Sequence, residues 1–474
     1  MVLVLKKDKI HRPRSIGVSS LRKGPFYTVA SVELGNTTTK CIIVSTNLET
    51  AEIFEIDKEI RLTRDVRPPK PEETIFGKTI FGVNLTRESV SEMIADILIT
   101  VLDRARLDIA RDLHFVVRST GVTAGFAHPS EVGMIVRALA EGCLSAGVPP
   151  RKMTASLTAE NLPPSLQDFT WLKKVYFDGA VASSLPPSET DIVANEMEGE
   201  LVTAGIKGAA KSTDIDFRNP VMTLDFGTTL AGRITDDSYP YAKTIGSFAG
   251  LAGAIPDSLV HLSGLVPLKN GSVLDIPHSR KSKSVQIEEN WIIDIEKHIR
   301  IEKVKQTDTR FGTVPVNGKS AEDSGVLLIG VDVGTNGSKL NELEKIGEVI
   351  INEAGINALL TVIDHIQARI VQKLLLLVDA EGFIFDNTSL GLTGRSIITG
   401  DKPKIIIDNL KLNNGELWTS SHDILFVEDG LAMGAAVAAR CMNSMGTTRN
   451  PMGGRKGDKC IMAERRKLQK KGHG

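Results

Sequence analysis

The chain carries one unusual loop twice. Residues 27–40 read Tyr27-Thr-Val-Ala-Ser-Val-Glu-Leu-Gly-Asn-Thr-Thr-Thr-Lys40, and residues 221–230 read Val221-Met-Thr-Leu-Asp-Phe-Gly-Thr-Thr-Leu230. Each is a hydrophobic strand, then an acid, a glycine two residues on, and a cluster of hydroxyls. Gly35 and Gly227 are expected to supply the unusual dihedrals of a tight turn. Exposed backbone N–H groups and the hydroxyls of Thr37, Thr38, Thr39, Thr228 and Thr229 can donate to phosphate oxygens. Lys40 adds a point charge. Asp225, at a strand end, is placed to hold Mg²⁺ through water or to orient an attacking water. One such loop alone reads as an ordinary glycine-containing hairpin turn. Two of them, opening successive halves of a long chain, predict two domains closing on one nucleotide.

At 474 residues there is room for two or more domains. A formal net charge of -1 argues against a dedicated nucleic-acid binder. No uninterrupted apolar run reaches the ~18 residues that span a bilayer, and the basic start (Lys6, Lys7, Lys9, Arg12, Arg14) has no apolar signal core, so a cytoplasmic location without a membrane is expected. Cys41, Cys143, Cys441 and Cys460 are far apart and encode no local metal or disulfide framework.

Composition and periodicity divide the chain into a mobile basic arm over 1–26, a first domain over 27–220, a second over 221–447, and a basic, disordered tail over 448–474. Residues 265–325, rich in charge and turn formers, read as an inserted, partly β segment suited to docking. Strands are expected at 28–34, 41–45, 51–61, 113–118, 221–224, 231–235, 241–244 and 326–333, and helices at 88–105, 129–146, 191–204 and, in two pieces, 343–376. A helix rich in small residues follows Leu425. Gly330-Val-Asp-Val-Gly-Thr-Asn-Gly-Ser-Lys339 looks like a third phosphate loop. A strand-to-helix turn is favoured there, with Asp332 and Asn336 bordering a nucleotide as the alternative. Ser119-Thr-Gly-Val-Thr-Ala-Gly125 reads either as a cleft loop or as a solvent-facing turn. His298 and His365, lacking paired ligands, read as structural.

The loops resemble the phosphate motifs of the actin/hexokinase/chaperone ATPase superfamily. Glu33-Leu-Gly-Asn-Thr-Thr-Thr-Lys40 matches the first, with Gly35 and Asn36 in its turn, and Asp225-Phe-Gly-Thr-Thr-Leu230 the second. Leu390-Gly-Leu-Thr-Gly-Arg-Ser-Ile-Ile-Thr-Gly400 is similar to the adenosine motif, and Glu428-Asp-Gly-Leu-Ala-Met-Gly-Ala-Ala-Val437 to the second connecting helix. The order is the superfamily's, and residues 191–204 take the place of the first connecting helix. The resemblance implies an α/β chain of two ribonuclease-H-like domains with an interdomain cleft for ATP or ADP and Mg²⁺. It assigns Asp225 and Glu33 to catalysis and metal binding, and Gly394, Arg395 and Glu428 to the nucleotide. Two departures stand out. Glu33 replaces the usual aspartate, and Gly394-Arg395 replaces a glycine pair, so Arg395 either stacks on adenine or blocks its approach.

Within the superfamily the first loop is most similar to the large subunit of diol dehydratase reactivases. Together with Tyr-Phe-Asp-Gly-Ala-Val-Ala-Ser-Ser-Leu185 and Leu-Thr-Gly-Arg-Ser-Ile-Ile-Thr-Gly-Asp-Lys-Pro403, the set resembles the methanogenesis marker protein 14 family. That likeness implies a slow ATPase that reactivates or assembles a corrinoid- or nickel-tetrapyrrole-dependent enzyme, its protein client. A small-molecule kinase is the alternative, for which the sequence shows no clear catalytic aspartate, and a non-hydrolysing nucleotide-binding scaffold is a third.

Overall fold

The computed structural model describes residues 10–126, 129–153, 193–238, 242–276 and 285–442. The motif ending at Leu185, the basic residues before Ile10 and the C-terminal tail lie outside them. The chain opens with two short strands, β1 (Ile10–His11) and β2 (Arg14–Ser15), and a helix, α1 (Val18–Lys23). The first hairpin follows as β3 (Phe26–Leu34) and β4 (Thr38–Asn47), continued by β5 (Ile53–Leu62). The β4–β5 turn falls between the strands expected at 41–45 and 51–61. Asn47 Oδ1 accepts from the N–H groups of Glu49 and Thr50, and Ala51 takes φ 60. A small hairpin, β6 (Ile75–Lys78) and β7 (Asn84–Thr86), leads to α2 (Arg87–Arg104), β8 (Phe115–Thr120) and α3 (Pro129–Ser145).

Helix α2 starts where Thr86 and Ser89 cap each other's backbone N–H groups reciprocally. Its apolar face, Val90, Met93, Ile94, Ile97, Leu98, Val101 and Leu102, recurring at 3- and 4-residue spacing, is buried. The five strands of this lobe lie in the order β2-β5-β4-β3-β8. Strand β3 reads as a nearly continuous apolar run because it is covered on both faces, as sheets carrying helices on each side require.

The second lobe begins after α4 (Glu196–Ala210) and repeats the plan with β9 (Val221–Phe226), β10 (Leu230–Thr235) and β11 (Thr244–Gly250). Then come α5 (Ala254–His261), α6 (Glu289–Glu296), β12 (Ile299–Lys303), β13 (Arg310–Phe311), β14 (Val314–Pro315), α7 (Gly318–Asp323) and β15 (Leu327–Val333). The chain ends its described course with α8 (Leu340–Ala380), β16 (Ser389–Thr393), α9 (Arg395–Ile398), α10 (Lys402–Asn409), α11 (Trp418–Ser421), β17 (Ile424–Val427) and α12 (Gly430–Met442). The sheet order is β1-β17-β16-β9-β10-β11-β15-β12. In both lobes an antiparallel three-strand meander is flanked, beside its first strand, by a parallel strand: β8 beside β3, and β16 beside β9. The protein is therefore α/β with two ribonuclease-H-like lobes.

The lobes are joined by helices that cross over. Helix α4 packs on β9 and β10 of the second sheet, α12 packs on β3, β4 and β8 of the first, and the two helices pack on each other. The small-residue face of α12 permits this. A Cβ on Gly205 of α4 would collide with the Gly430 carbonyl oxygen, and one on Gly434 with that of Leu201. The helix expected at 191–204 is shifted. It begins at Glu196, after Asn195 has turned its side-chain amide to the Leu230 carbonyl, and runs on to Ala210.

Three further expectations change. Residues 10–26 form strands and a helix rather than a mobile arm. β1 pairs with β17 of one lobe and β2 with β5 of the other, so the segment straps the two sheets together. The strand expected at 241–244 is β11, which begins at Thr244 and runs longer, because the Thr244–Gly250 run is paired on both sides, with β10 and β15. The 265–325 segment is partly β as expected, yet its main strand, β12, is the edge of the eight-stranded sheet, paired antiparallel to β15.

Helix α8 is long and apolar enough to cross a membrane by length and composition alone. It is broken into two pieces at Gly355 (φ 80), and Leu359, Val362, Ile366, Val371 and Leu375 are buried against the second lobe's core.

Candidate functional site

The two hairpin loops face each other. Gly35, Asn36, Thr37, Thr38, Lys40 and Glu33 from the first lobe, and Asp225, Gly227, Thr228 and Thr229 from the second, line one cleft. The cleft encloses about 900 Å³ of space free of protein atoms, its open mouth included. Thr37 Oγ1 lies 2.8 Å from Thr228 Oγ1, so the hydroxyl clusters meet directly. The glycines serve differently from expectation. Neither Gly35 nor Gly227 has a positive φ. A Cβ on Gly35 would instead stand 2.7 Å from the Thr38 carbonyl oxygen, so close backbone approach is what excludes a side chain there.

Behind the loops lies a charged floor. Glu33 and Lys40 are cross-strand partners in the β3–β4 register, and their side chains pair at 2.9 Å. Burial opposes the charge on Lys40, but Glu33, Asp429 and Asp225 outweigh it and hold the ammonium above the ordinary lysine value. Burial pushes the Asp225 carboxyl up to about 7. Lys40 pulls it down, while Glu33 and Asp429 push it up. Glu198, on α4, joins the same floor and is driven well above the usual carboxylate range, first by burial and then by Asp225 and Glu33. A fourth carboxylate, Asp257 on α5, sits at the loop contact. Its Oδ1 accepts from Ser272 Oγ (2.7 Å) and Val273 N (3.0 Å), and its Oδ2 from Thr37 Oγ1 (3.1 Å). Burial raises it to about 6 against these bonds.

The adenosine-motif segment reaches the same cleft through Gly394, Arg395, Ser396 and Thr399, opposite apolar Pro256, Val273, Leu274 and Ile363. Gly394 is required in two ways. Its φ is 94, and a Cβ would strike the Asp225 carboxylate.

Some expected site residues face elsewhere. Thr39 is buried and its hydroxyl bonds to Thr63 Oγ1, because strand alternation turns the third threonine away from the cleft. Asn36 lines the cleft, but its amide braces the loop, donating to the Gly121 carbonyl and accepting from Ile80 N. This bond brings the 119–125 segment to the cleft at Gly121. Glu428 lies in an adjoining chamber, where Arg12 and Lys58 hold it. The third glycine-rich loop is already filled. Asp332 is buried, accepts from the N–H groups of Val333, Asn336 and Gly337, and pairs with Arg300. Its own carboxylate occupies the place an anion would take, and the segment is a strand-to-helix turn. Glu198 and Asp257 were missed by sequence reasoning because each sits on a helix with no local motif around it.

The resemblance of the two loops to the superfamily's phosphate motifs would imply a divalent cation held with a nucleotide. Among the described residues no group of three His, Cys, Asp or Glu side chains is placed to bind a metal by itself. The carboxylates of Asp225 and Glu198 are hard oxygen donors whose mutual repulsion a cation would relieve. These residues fit Mg²⁺ held through water and phosphate oxygens rather than in a protein cage.

Relatives share nearly the whole chain. A Methanocaldococcus jannaschii protein is 49% identical over 471 residues, covering 99% of this chain and 97% of its own. A Methanothermobacter thermautotrophicus protein is 51% identical over 458 residues, covering 95% and 84%. Among solved structures, the ethanolamine utilization protein EutJ from Carboxydothermus hydrogenoformans is similar at 11% identity and a TM-score of 0.35, over 89% of this chain and 94% of that one. A reductive activator for corrinoid, iron-sulfur protein is similar at 9% identity and a TM-score of 0.32, over 87% and 60%. The family model described as "uncharacterized protein conserved in archaea (DUF2114)" matches residues 26–469, and the chain belongs to that family.

Proposed function

We propose that the cleft binds Mg-ATP between the two loops, hydrolyses it slowly, and uses the resulting lobe movement to act on a protein client. The observation that carries this reading is the direct meeting of two hydroxyl-rich hairpin loops, Thr37 to Thr228, above a floor of Glu33, Lys40, Asp225 and Glu198. Thr37, Thr38, Thr228 and Thr229 would hold phosphate oxygens, with Arg395 beside the nucleoside. Phosphoryl transfer to water needs positioning and charge neutralisation more than covalent chemistry. Mg²⁺, when bound, supplies neutralisation of the phosphate charge. Asp225, pushed up to about 7, is suited to accept the proton of an attacking water, and Glu198, driven well above the usual carboxylate range, to hold one. The crossed α4 and α12 helices are the element through which closure would be transmitted.

The client is assigned on the sequence likeness to the methanogenesis marker protein 14 family and on relatives in two methanogens. It is a methanogenic enzyme with a corrinoid or nickel-tetrapyrrole cofactor, reactivated or assembled by this protein. A second reading, a small-molecule kinase, gains from Asp257 and Glu198, which supply the cleft carboxylates that such an enzyme needs to accept a hydroxyl proton.

The test is thermal stability with nucleotide. A ligand at 100 times its Kd stabilises the native state by about 2.7 kcal/mol, so millimolar Mg-ATP is expected to raise the melting temperature by several degrees. No shift with ATP or ADP would remove the reading. Affinity purification from the native cell, with and without nucleotide, identifies the client, and phosphate transfer to a metabolite in a kinase screen would promote the second reading.

A further inference from the structure

Thr37 presents one hydroxyl proton to two partners, Thr228 Oγ1 at 2.8 Å and Asp257 Oδ2 at 3.1 Å. Two observations decide where that proton goes. Asp257 is held on its other oxygen by Ser272 Oγ and Val273 N, both donors from the second lobe, so Oδ2 is the free acceptor. An ionised carboxylate can only accept. Thr37 therefore donates to Asp257, and Thr228 must donate to Thr37. Both protons run in one direction, from the second loop through the first and into Asp257, and neither is available to a phosphate oxygen.

The clasp extends outward from there. Asp275 accepts from Ser272 N at 2.8 Å, tying it to the turn that holds Asp257. It also pairs with both terminal nitrogens of Arg64 of the first lobe, and Arg64 donates in addition to the Asn270 carbonyl at 3.0 Å. Arg64, Asp275, Ser272, Asp257 and Thr37 thus form one chain of polar contacts that leaves the first lobe, crosses the second and returns.

We propose that Asp257 is a positioning residue that captures the Thr37 hydroxyl and keeps the two loops clasped against each other, so that a phosphate group must displace this carboxylate's hold to enter. This deepens the nucleotide reading of the cleft and rests on it for the identity of the displacing group. Asp257 and a phosphate compete for the same proton and repel each other at close range, which sets how readily the phosphate chain is accepted.

Asp257→Asn inverts the contact. Ser272 Oγ and Val273 N hold the amide oxygen, the amide NH₂ faces Thr37, and the Thr37 proton turns outward. The experiment pairs two readouts. In ligand-free melting, Asp257→Asn and Thr37→Val are expected to be non-additive, the double variant melting close to the lower single variant, while Thr37→Ser behaves as wild type. In calorimetry with Mg-ADP and with Mg-pyrophosphate, Asp257→Asn is expected to bind about tenfold more tightly than wild type, the effect of one gained donor and one lost repulsion. Additive melting, or unchanged or weaker binding in Asp257→Asn, overturns the proposal. If neither protein binds either ligand, the nucleotide reading falls, and non-additive melting still establishes the clasp.

Discussion

The two loops share a plan and differ in one pairing. In the first, the acid Glu33 stands across the hairpin from Lys40 and is neutralised by it at 2.9 Å. In the second, the acid Asp225 stands across from Ala231, so no cation from its own hairpin answers it, and its carboxyl is pushed up to about 7. Glutamate suits the first position because its longer side chain spans to the lysine on the neighbouring strand. The first loop carries its own counter-ion and serves to position. The second leaves a carboxylate short of positive charge, which is where a cation or a proton has most to gain. Under the proposed function, Asp225 rather than Glu33 would be the centre of the chemistry.

The largest expected effect is on turnover. Asp225→Asn is expected to cut ATP hydrolysis by about 100-fold or more, the scale seen when a group acting on the transition state is removed, with nucleotide affinity changed far less. Phosphate release and calorimetry on the same protein separate the two, and an unchanged rate removes Asp225 from the mechanism. Next comes Lys40→Met, which leaves Glu33, Asp225 and Glu198 facing one another without their cation. A loss of about 3 kcal/mol in denaturant unfolding is expected, partly restored by Mg²⁺. A loss below about 1 kcal/mol would show that the floor is solvated instead.

A third outcome concerns pH. The carboxyl of Asp225 is raised from 3.8 in the unfolded chain to about 7 in the fold, so the native state keeps a proton that the unfolded chain has lost. Its stabilising contribution is full below about pH 4 and is lost as pH rises to about 7. Ligand-free melting temperature is expected to fall over that window, with Asp225→Asn flattening the fall most and Glu33→Gln, which removes one of the charges that raise Asp225, flattening it less. The smallest effect is expected from Glu33→Asp. It shortens the reach to Lys40 and should weaken nucleotide binding by less than about tenfold, with turnover of bound ATP nearly unchanged. A turnover loss matching that of Asp225→Asn would erase the distinction between the loops.

Much of this was legible in the sequence because it is written in local patterns. The apolar run, acid, glycine and hydroxyl cluster marks a strand and its turn wherever it occurs, and the period of Val90 to Leu102 marks a helix. Strand alternation also foretells that Thr39 points away from Thr38, although counting hydroxyls obscures it. What stayed hidden depends on contacts distant in sequence. The strap at 10–15 is two residues per strand, too short for any periodicity, and exists only because β17 and β5 offer edges to it. Glu198 stands on α4 as one of three glutamates in its first turns and Asp257 on α5 among apolar and small neighbours, and their closeness to the loops follows from how the helices cross. The 330–339 segment has the composition of a phosphate loop, and only the buried position of Asp332 shows that the loop binds its own side chain.

The central claim is that a phosphate chain enters between Thr37 and Thr228. A crystal structure of the protein with Mg-ADP tests it most directly. The account predicts phosphate oxygens within hydrogen-bonding distance of both hydroxyls, the 2.8 Å contact between them broken, and Asp225 facing the metal through water. Nucleotide bound elsewhere, with the two threonines still bonded to each other, would contradict it.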